Sequence, residues 1–379
     1  MRPPSLHLLL LLVTLLLLSR GAAHGSAPAR AQHAAAAGAS PPPPPPPPRV
    51  RTVALQSPGG PVEMPLIGLG TAGLGGWGNS NATVAAISLW LQNGGRAIHG
   101  AWMYCNLKSI GQAIKESKVD RKELFVMDML PQWHLGYNET LANFHDGLDQ
   151  LGLDYVDLYM FHWPGMYQNQ LPMLPAKHPE VCGTAVLDVP PCKKGQPSWK
   201  HCRLESWRAL SELQKAGKIR ALGTSNFELP QLKQLVATGN PPAVNQVSWH
   251  IGYHDDFLRD FAKENKIVLQ AYSPLGGGEI ASGKIPAVNA IAKSHNVSAA
   301  QVALRWIVQQ GVAAIPKAAT TDYQLENMDV FGFELSAAEM RSLSVMANPP
   351  GNGQNQDPAS MMCIDEDAGR MARCIYLDQ

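Results

Sequence analysis

Three side chains able to hold or move a proton, His99, Tyr104 and His162, stand at or just beyond the C-terminal ends of short apolar runs. Thr71, Ser225-Asn226, Gln246, Tyr272-Ser273 and Lys317 follow other runs in the same way. A phenol can donate a proton, an imidazole can hold one, and amide and hydroxyl groups can orient a planar polar ligand. Any one of these residues alone is more often structural; their recurrence at successive run ends points to a ligand site. No carboxylate pair occupies these positions, which counts against glycoside hydrolysis. No CxxC spacing signals a zinc site.

The runs themselves predict strands over 66–70, 97–99, 124–130, 155–162, 219–224, 243–247, 267–272 and 313–317. Amphipathic stretches between them predict helices over 109–117, 140–151, 204–216 and 298–310, the last read as the longest and opened by a Ser298 cap. Eight short strand-helix repeats, with no GxGxxG opening the first helix, predict an α/β fold of the (β/α)8 TIM-barrel type rather than an open sheet. In such a barrel the C-terminal strand ends form the reactive face. Asp128 alternates with Met129 and is expected on the opposite side of its strand.

Read in order, GLGT at 68–71, DLYMFHWP at 157–164, GKIRALGTSNF at 217–227, VNQ at 244–246, LQAYSPLG at 269–276 and QVALRWIVQQGVAAIPKA at 301–318 resemble the aldo-keto reductase family over roughly residues 62–345. The resemblance implies hydride transfer between a nicotinamide cofactor and a small-molecule carbonyl substrate. Ser225, Asn226 and Gln246 would hold the carboxamide and Tyr272 would stack under the ring, with Thr71 and Ser273 beside them. Lys317, Glu326 and Asn327 would grip the adenosine end. Tyr104 and His162 match two of the four side chains that handle the proton in that family.

The other two differ. His99 stands at the family's Asp position and Met129 at its Lys position. The losses are coupled, because a buried Lys without its Asp leaves an uncompensated ion at a cost of about 3–5 kcal/mol. Without the cation Tyr104 loses its activator, so activated carbonyls should suffer less than alcohol oxidation. His99 either carries a compensating proton or fills space as a neutral ring. At the adenosine end Ala318 and Tyr323 replace a Ser and an Arg, leaving NADPH or NADH open with NADPH favoured; Tyr323 either stacks on adenine or covers the helix start. A non-catalytic nucleotide-binding or partner-binding barrel is the alternative function.

The chain has 379 residues, 45% hydrophobic and 16% charged, and 31 Lys+Arg against 30 Asp+Glu leave a net charge of +1. That balance supplies no field for nucleic acid, and the apolar content excludes global disorder. Residues 1–25 read as a signal peptide, with Arg2, a leucine-rich run over 8–18 and small residues at 21–23. The run is shorter than the roughly 20 residues of a membrane span, so no span is expected after cleavage; an uncleaved anchor is the alternative. Residues 26–49 read as an Ala/Pro-rich linker or stalk, 50–346 as the barrel and 347–379 as a tail. Three glycan acceptor triplets begin at Asn81, Asn138 and Asn296. Six cysteines (105, 182, 192, 202, 363 and 374) favour disulfides in a secreted or luminal glycoprotein. Cys105, next to Tyr104, is either a reactive thiol or an inert or bonded one. The insertion between Pro164 and Cys202 is expected to form a braced rim over the pocket mouth, with the tail covering the same opening. Oligomeric state is not legible.

Overall fold

The computed structural model describes residues 50–165 and 199–346, with the backbone of two further short strands, Cys363–Asp365 and Arg370–Ala372. The signal, linker and rim expectations lie outside the described residues, and so does most of the tail.

Two antiparallel strands open the barrel region, β1 (Thr52–Leu55) and β2 (Val62–Pro65). Their buried Leu55, Val62 and Met64 join the inward side chains of the main sheet. This hairpin was not anticipated, because a four-residue strand has too little alternation to stand out.

The main sheet has eight parallel strands in chain order: β3 (Leu69–Gly70), β4 (Ala97–His99), β5 (Phe125–Leu130), β6 (Val156–Phe161), β7 (Ile219–Ser225), β8 (Val244–Ser248), β9 (Val268–Tyr272) and β10 (Ala313–Ala314). It closes on itself through a parallel Ile67–Ala314 bridge and the Gly70 N–H donating to Pro316 O at 3.0 Å. Closure explains Gly70: a Cβ there would lie 2.6 Å from Ile315 O. The predicted 66–70 and 313–317 runs shrink to two-residue ladders at this seam, where Pro316 has no N–H to give.

Alternation along the strands makes two cores. Phe125, Met127, Met129, Leu158 and Met160 fill the barrel, while Val126, Leu130, Tyr159 and Phe161 meet the surrounding helices. The helices are α1 (Asn81–Gln92), α2 (Leu107–Ser117), α3 (Tyr137–Leu151), α4 (Trp199–Lys215), α5 (Leu229–Val236), α6 (Asp256–Glu264), α7 (Pro286–His295), α8 (Ala299–Gln309), α9 (Thr321–Met328) and α10 (Ala337–Ser344). The Ser298 cap forms as expected, in a capping box with Gln301. The longest described helix is α4, with 17 residues, not the 298–310 stretch. Its polar first turn hid it: Arg203 is buried with its guanidinium donating to Pro164 O and to Gln234 Oε1.

Candidate active site

The chain leaves β4 at His99, runs extended through Ala101, makes one 3-10 turn over Trp102–Tyr104, and reverses at Cys105 with φ of 58°. The Trp102 indole donates to Asp146 on α3 and fixes that turn. The turn sets the Tyr104 ring edge-on to two imidazoles: its centroid is 6.1 Å from that of His99 and 5.4 Å from that of His162. His162 follows β6, its N–H donating to Leu130 O at 2.9 Å. All three expected proton-handling residues therefore share one mouth.

Met129 lies fully buried on the inward face of β5, with Met127 and Met160 nearby. The floor beside Tyr104 is apolar thioether where an ammonium was conceivable. Burial lowers the pKa of His99 to about 3, and burial with the neighbouring His99 lowers that of His162 to about 3. Both imidazoles are neutral at neutral pH, so His99 brings no cation to Tyr104. Burial, and secondarily the Asp128 charge, pushes the Tyr104 phenol well above its ordinary value.

Asp128 faces outward, as alternation requires. Its carboxyl occupies space against α3 left by Gly147, where a Cβ would lie 2.7 Å from Asp128 Oδ2. Burial raises its pKa to about 7, against the opposing effect of bonds from the Met129 and Trp102 backbones. Sequence reasoning missed that this group, one residue from Met129, acts on Tyr104 through the strand.

Ser225 and Gln246 are direct cross-strand partners on β7 and β8. Gln246 Nε2 donates to Gln270 Oε1 at 2.7 Å, which leaves Gln246 Oε1 as an unused acceptor. Ser225 Oγ accepts from Asn226 Nδ2 at 3.1 Å, which leaves its hydroxyl proton as an unused donor. One donor beside one acceptor is the complement of a primary carboxamide. Asn226 is mostly committed elsewhere: Nδ2 also donates to His162 O at 2.9 Å, and Oδ1 accepts from the Tyr272 hydroxyl at 2.9 Å. Its left-handed backbone, φ 60°, is held by its N–H donating to Gln246 O. Asn226 thus ties Tyr272, Ser225 and His162 together. Tyr272 is half-buried at the end of β9, and Ser273 beside it is exposed with φ of 49°.

Thr71 is fully buried, its hydroxyl donating to His99 O at 2.8 Å and accepting from Asn106 Nδ2 at 3.1 Å. It braces β3 to β4 and presents no open face to a ligand. Lys317 is exposed, Nζ donating to Ala72 O at 3.2 Å. On α9 Asn327 is buried, Glu326 half-buried and Tyr323 exposed. These residues lie around the first turn and last turns of one helix, where backbone N–H groups at the N-terminus suit an anion.

Trp77 was also missed. It is 66% exposed on a glycine-rich loop, its ring 6.1 Å from that of Tyr104. The loop is braced by Gly78 N–H donating to Tyr104 O at 3.3 Å and Ser109 N–H donating to Asn79 Oδ1 at 2.9 Å. Its lone Trp in a run of Gly is the signal that was available.

Among the described residues no helix is long and apolar enough to cross a membrane.

Comparison with known proteins places the chain in a family. Residues 66–347 match the family described as the Aldo/keto reductase family. Glyoxal reductase of Bacillus subtilis is 36% identical over 297 residues, 78% of this chain and 94% of that protein. Glycerol 2-dehydrogenase (NADP(+)) of Saccharomyces cerevisiae is 36% identical over 298 residues, 76% of this chain and 89% of that protein. A solved aldo/keto reductase from Brucella melitensis superposes with a TM-score of 0.64 at 32% identity, covering 78% of this chain and 99% of its own. An aldo-keto reductase solved with NADPH gives 0.64 at 27% identity, covering 79% and 89%. The chain belongs to the aldo/keto reductase family and is an NAD(P)H-dependent oxidoreductase acting on small-molecule carbonyl compounds.

Proposed function

We propose that this chain reduces activated carbonyls, vicinal dicarbonyls foremost, with Tyr104 as proton donor and with Ser225, Gln246 and Tyr272 holding the nicotinamide. The observation that carries the reading is the Ser225 donor beside the Gln246 acceptor, tied through Asn226 to His162 and so to Tyr104. When bound, a reduced nicotinamide supplies the hydride. Ser225 and Gln246 orient its amide, and Tyr272, anchored by its hydroxyl to Asn226, sets the height of the ring. Tyr104 gives its proton to the carbonyl oxygen, leaving an alcohol. His162, neutral, orients that oxygen by a hydrogen bond, and His99 remains a neutral support for the Tyr104 ring.

The substrate class follows from the missing cation. Met129 cannot help Tyr104 release a proton, and acid catalysis is typically worth about 10² to 10⁴-fold. A second carbonyl beside the reacting one withdraws charge from the developing alkoxide and lowers the demand on a weak acid. The relative named glyoxal reductase supports that class. Lys317 as an exposed cation supports NADPH over NADH, with a modest preference because Ala318 and Tyr323 add no further charge.

The address we propose is the secretory route. It is supported by the apolar run at 8–18, by the exposure of Asn81, Asn138 and Asn296, and by Cys105 and Cys202, neither of which carries a free thiol.

The test is NADPH oxidation by the purified full chain with phenylglyoxal and with a simple aliphatic aldehyde. The dicarbonyl should turn over at least about 100-fold faster, the scale of one acid catalyst. Tight NADPH binding with no turnover of either would favour the non-catalytic alternative.

A further inference from the structure

Ile67 and Arg96 stand just before β3 and β4, and Met328 and Phe331 stand at the far end of α9. Together they line a cavity of about 440 Å³ at the N-terminal strand ends, the side of the barrel opposite the mouth that holds Tyr104. Ligand pockets generally span about 300–1,000 Å³. The floor is rigid and apolar: Trp90 is buried with its indole N–H donating to Ala97 O at 3.0 Å, and Gly95 packs on that ring where no Cβ would fit. The rim is apolar as well. Val50 and Leu325 both line it and are 42% and 44% exposed. Single exposed apolar side chains need no account, but two on the lip of one cavity, beside half-buried Met328 and Phe331, make an apolar surface that calls for an occupant.

One cation at this cavity has no counter-charge. Arg51 lays its guanidinium over the Phe331 ring, 5.1 Å from the centroid, and among the described residues no carboxylate pairs with it. Stacking of that kind engages the face of the guanidinium and leaves its edge N–H groups, the fork that takes a carboxylate bidentately. Arg96 is spent on the wall: Nε lies 3.7 Å from Glu123, and Nη1 donates to Leu91 O and Gly95 O at 3.2 and 2.8 Å. Asp329 also lines the cavity and disfavours a second negative charge on an occupant.

We propose that this cavity binds a medium-chain fatty acid, its carboxylate on Arg51 and its alkyl chain along Val50, Leu325 and Met328. A single anionic head on an apolar tail matches a single free cation beside an apolar lining. The second charge of a dicarboxylate or a phosphate monoester would meet Asp329, and a sugar would find too few polar groups to replace its water. The site is separate from the nucleotide groove and does not rest on the reductase reading.

The test is calorimetric titration of dodecanoate, kept below its micelle concentration, into the purified full chain without nucleotide. One equivalent should bind saturably. Dodecanol, which lacks the charge, should bind at least about tenfold more weakly, and Arg51→Gln should weaken dodecanoate binding by the same factor, the scale of one hydrogen-bonded charge. Leu325→Glu, which sets a carboxylate on the rim, should abolish it. Both substitutions fall on exposed side chains, and circular dichroism confirms that the variants fold. Saturating NADPH should leave dodecanoate bound. The proposal is overturned if the parent takes up no dodecanoate, if both variants bind it as tightly as the parent, if dodecanol binds as well as dodecanoate, or if NADPH displaces it mole for mole. Sedimentation of the same samples covers the rival occupant: a parent that dimerises without taking up dodecanoate, and a Leu325→Glu variant that does not dimerise, would assign the surface to a second copy and overturn the proposal.

Discussion

The ring of Tyr104 meets that of His162 edge to face, with centroids 5.4 Å apart and planes at 84°. The phenol is thereby held at the mouth by a neutral imidazole rather than by a charged partner. Its proton is retained across the whole working pH range, because burial raises the phenol and no cation opposes it. Tyr104→Phe should lower kcat for a dicarbonyl by about 10² to 10⁴-fold while leaving NADPH affinity within twofold of about unity. Unchanged kcat would refute the assignment of Tyr104 as donor.

Restoring the ion pair should restore the acid. The double change His99→Asp with Met129→Lys is expected to raise kcat for a simple aldehyde by at least about 100-fold. Met129→Lys alone should instead destabilise the fold by about 3–5 kcal/mol, since the ammonium would be buried without its carboxylate. Chemical denaturation of both variants separates the two effects.

Stability should depend on pH through two opposed groups. Asp128 has a folded pKa of about 7 against an ordinary value of 3.8. Between those values the folded state keeps a proton that the unfolded chain releases, so this group makes stability fall as pH rises, by on the order of 4 kcal/mol, and the loss is complete above pH 7. His99 and His162 act the other way. Their folded pKa values of about 3 lie below the ordinary 6.5, so stability is lost as pH falls from 6.5 toward 3. Urea denaturation across pH 4 to 8 should show Asp128→Asn more stable than the parent above pH 7 and lacking the parent's decline between pH 4 and 7. A parallel curve for parent and variant would contradict the burial of a protonated Asp128.

Gly147 is required by the same carboxyl. A Cβ at that position lies 2.7 Å from Asp128 Oδ2, so Gly147→Ala should destabilise by about 1–3 kcal/mol despite the better helix propensity of Ala. Combining it with Asp128→Ala should remove most of that cost, which a double-mutant cycle reads directly.

Much of this was legible before any coordinates. The β4 end at His99, the helix cap at Ser298 and the outward turn of Asp128 follow from period-two and capping rules that act locally. The grouping of His99, Tyr104 and His162 followed from barrel topology, which gathers strand ends whatever their separation in sequence. What local rules could not reveal depends on distant partners. Thr71 looked open at its strand end but is sealed by Asn106, and Asn226 is spent on Tyr272 and His162. Arg203 hid the start of α4 because its burial goes with partners far along the chain, Pro164 O 39 residues earlier and Gln234 Oε1 31 residues later. Trp77 lacked any periodic context, and only its approach to Tyr104 gives it meaning.

Ser225 and Gln246 together present one donor and one acceptor, the complement of a nicotinamide carboxamide. Titrating NADPH into the parent chain and into Gln246→Ala, while following nucleotide fluorescence, tests it most directly. Saturable binding by the parent and about tenfold weaker binding by the variant, the equivalent of about 1.4 kcal/mol, is the expected result. Equal affinity in the two proteins, or no binding to the parent, would contradict it.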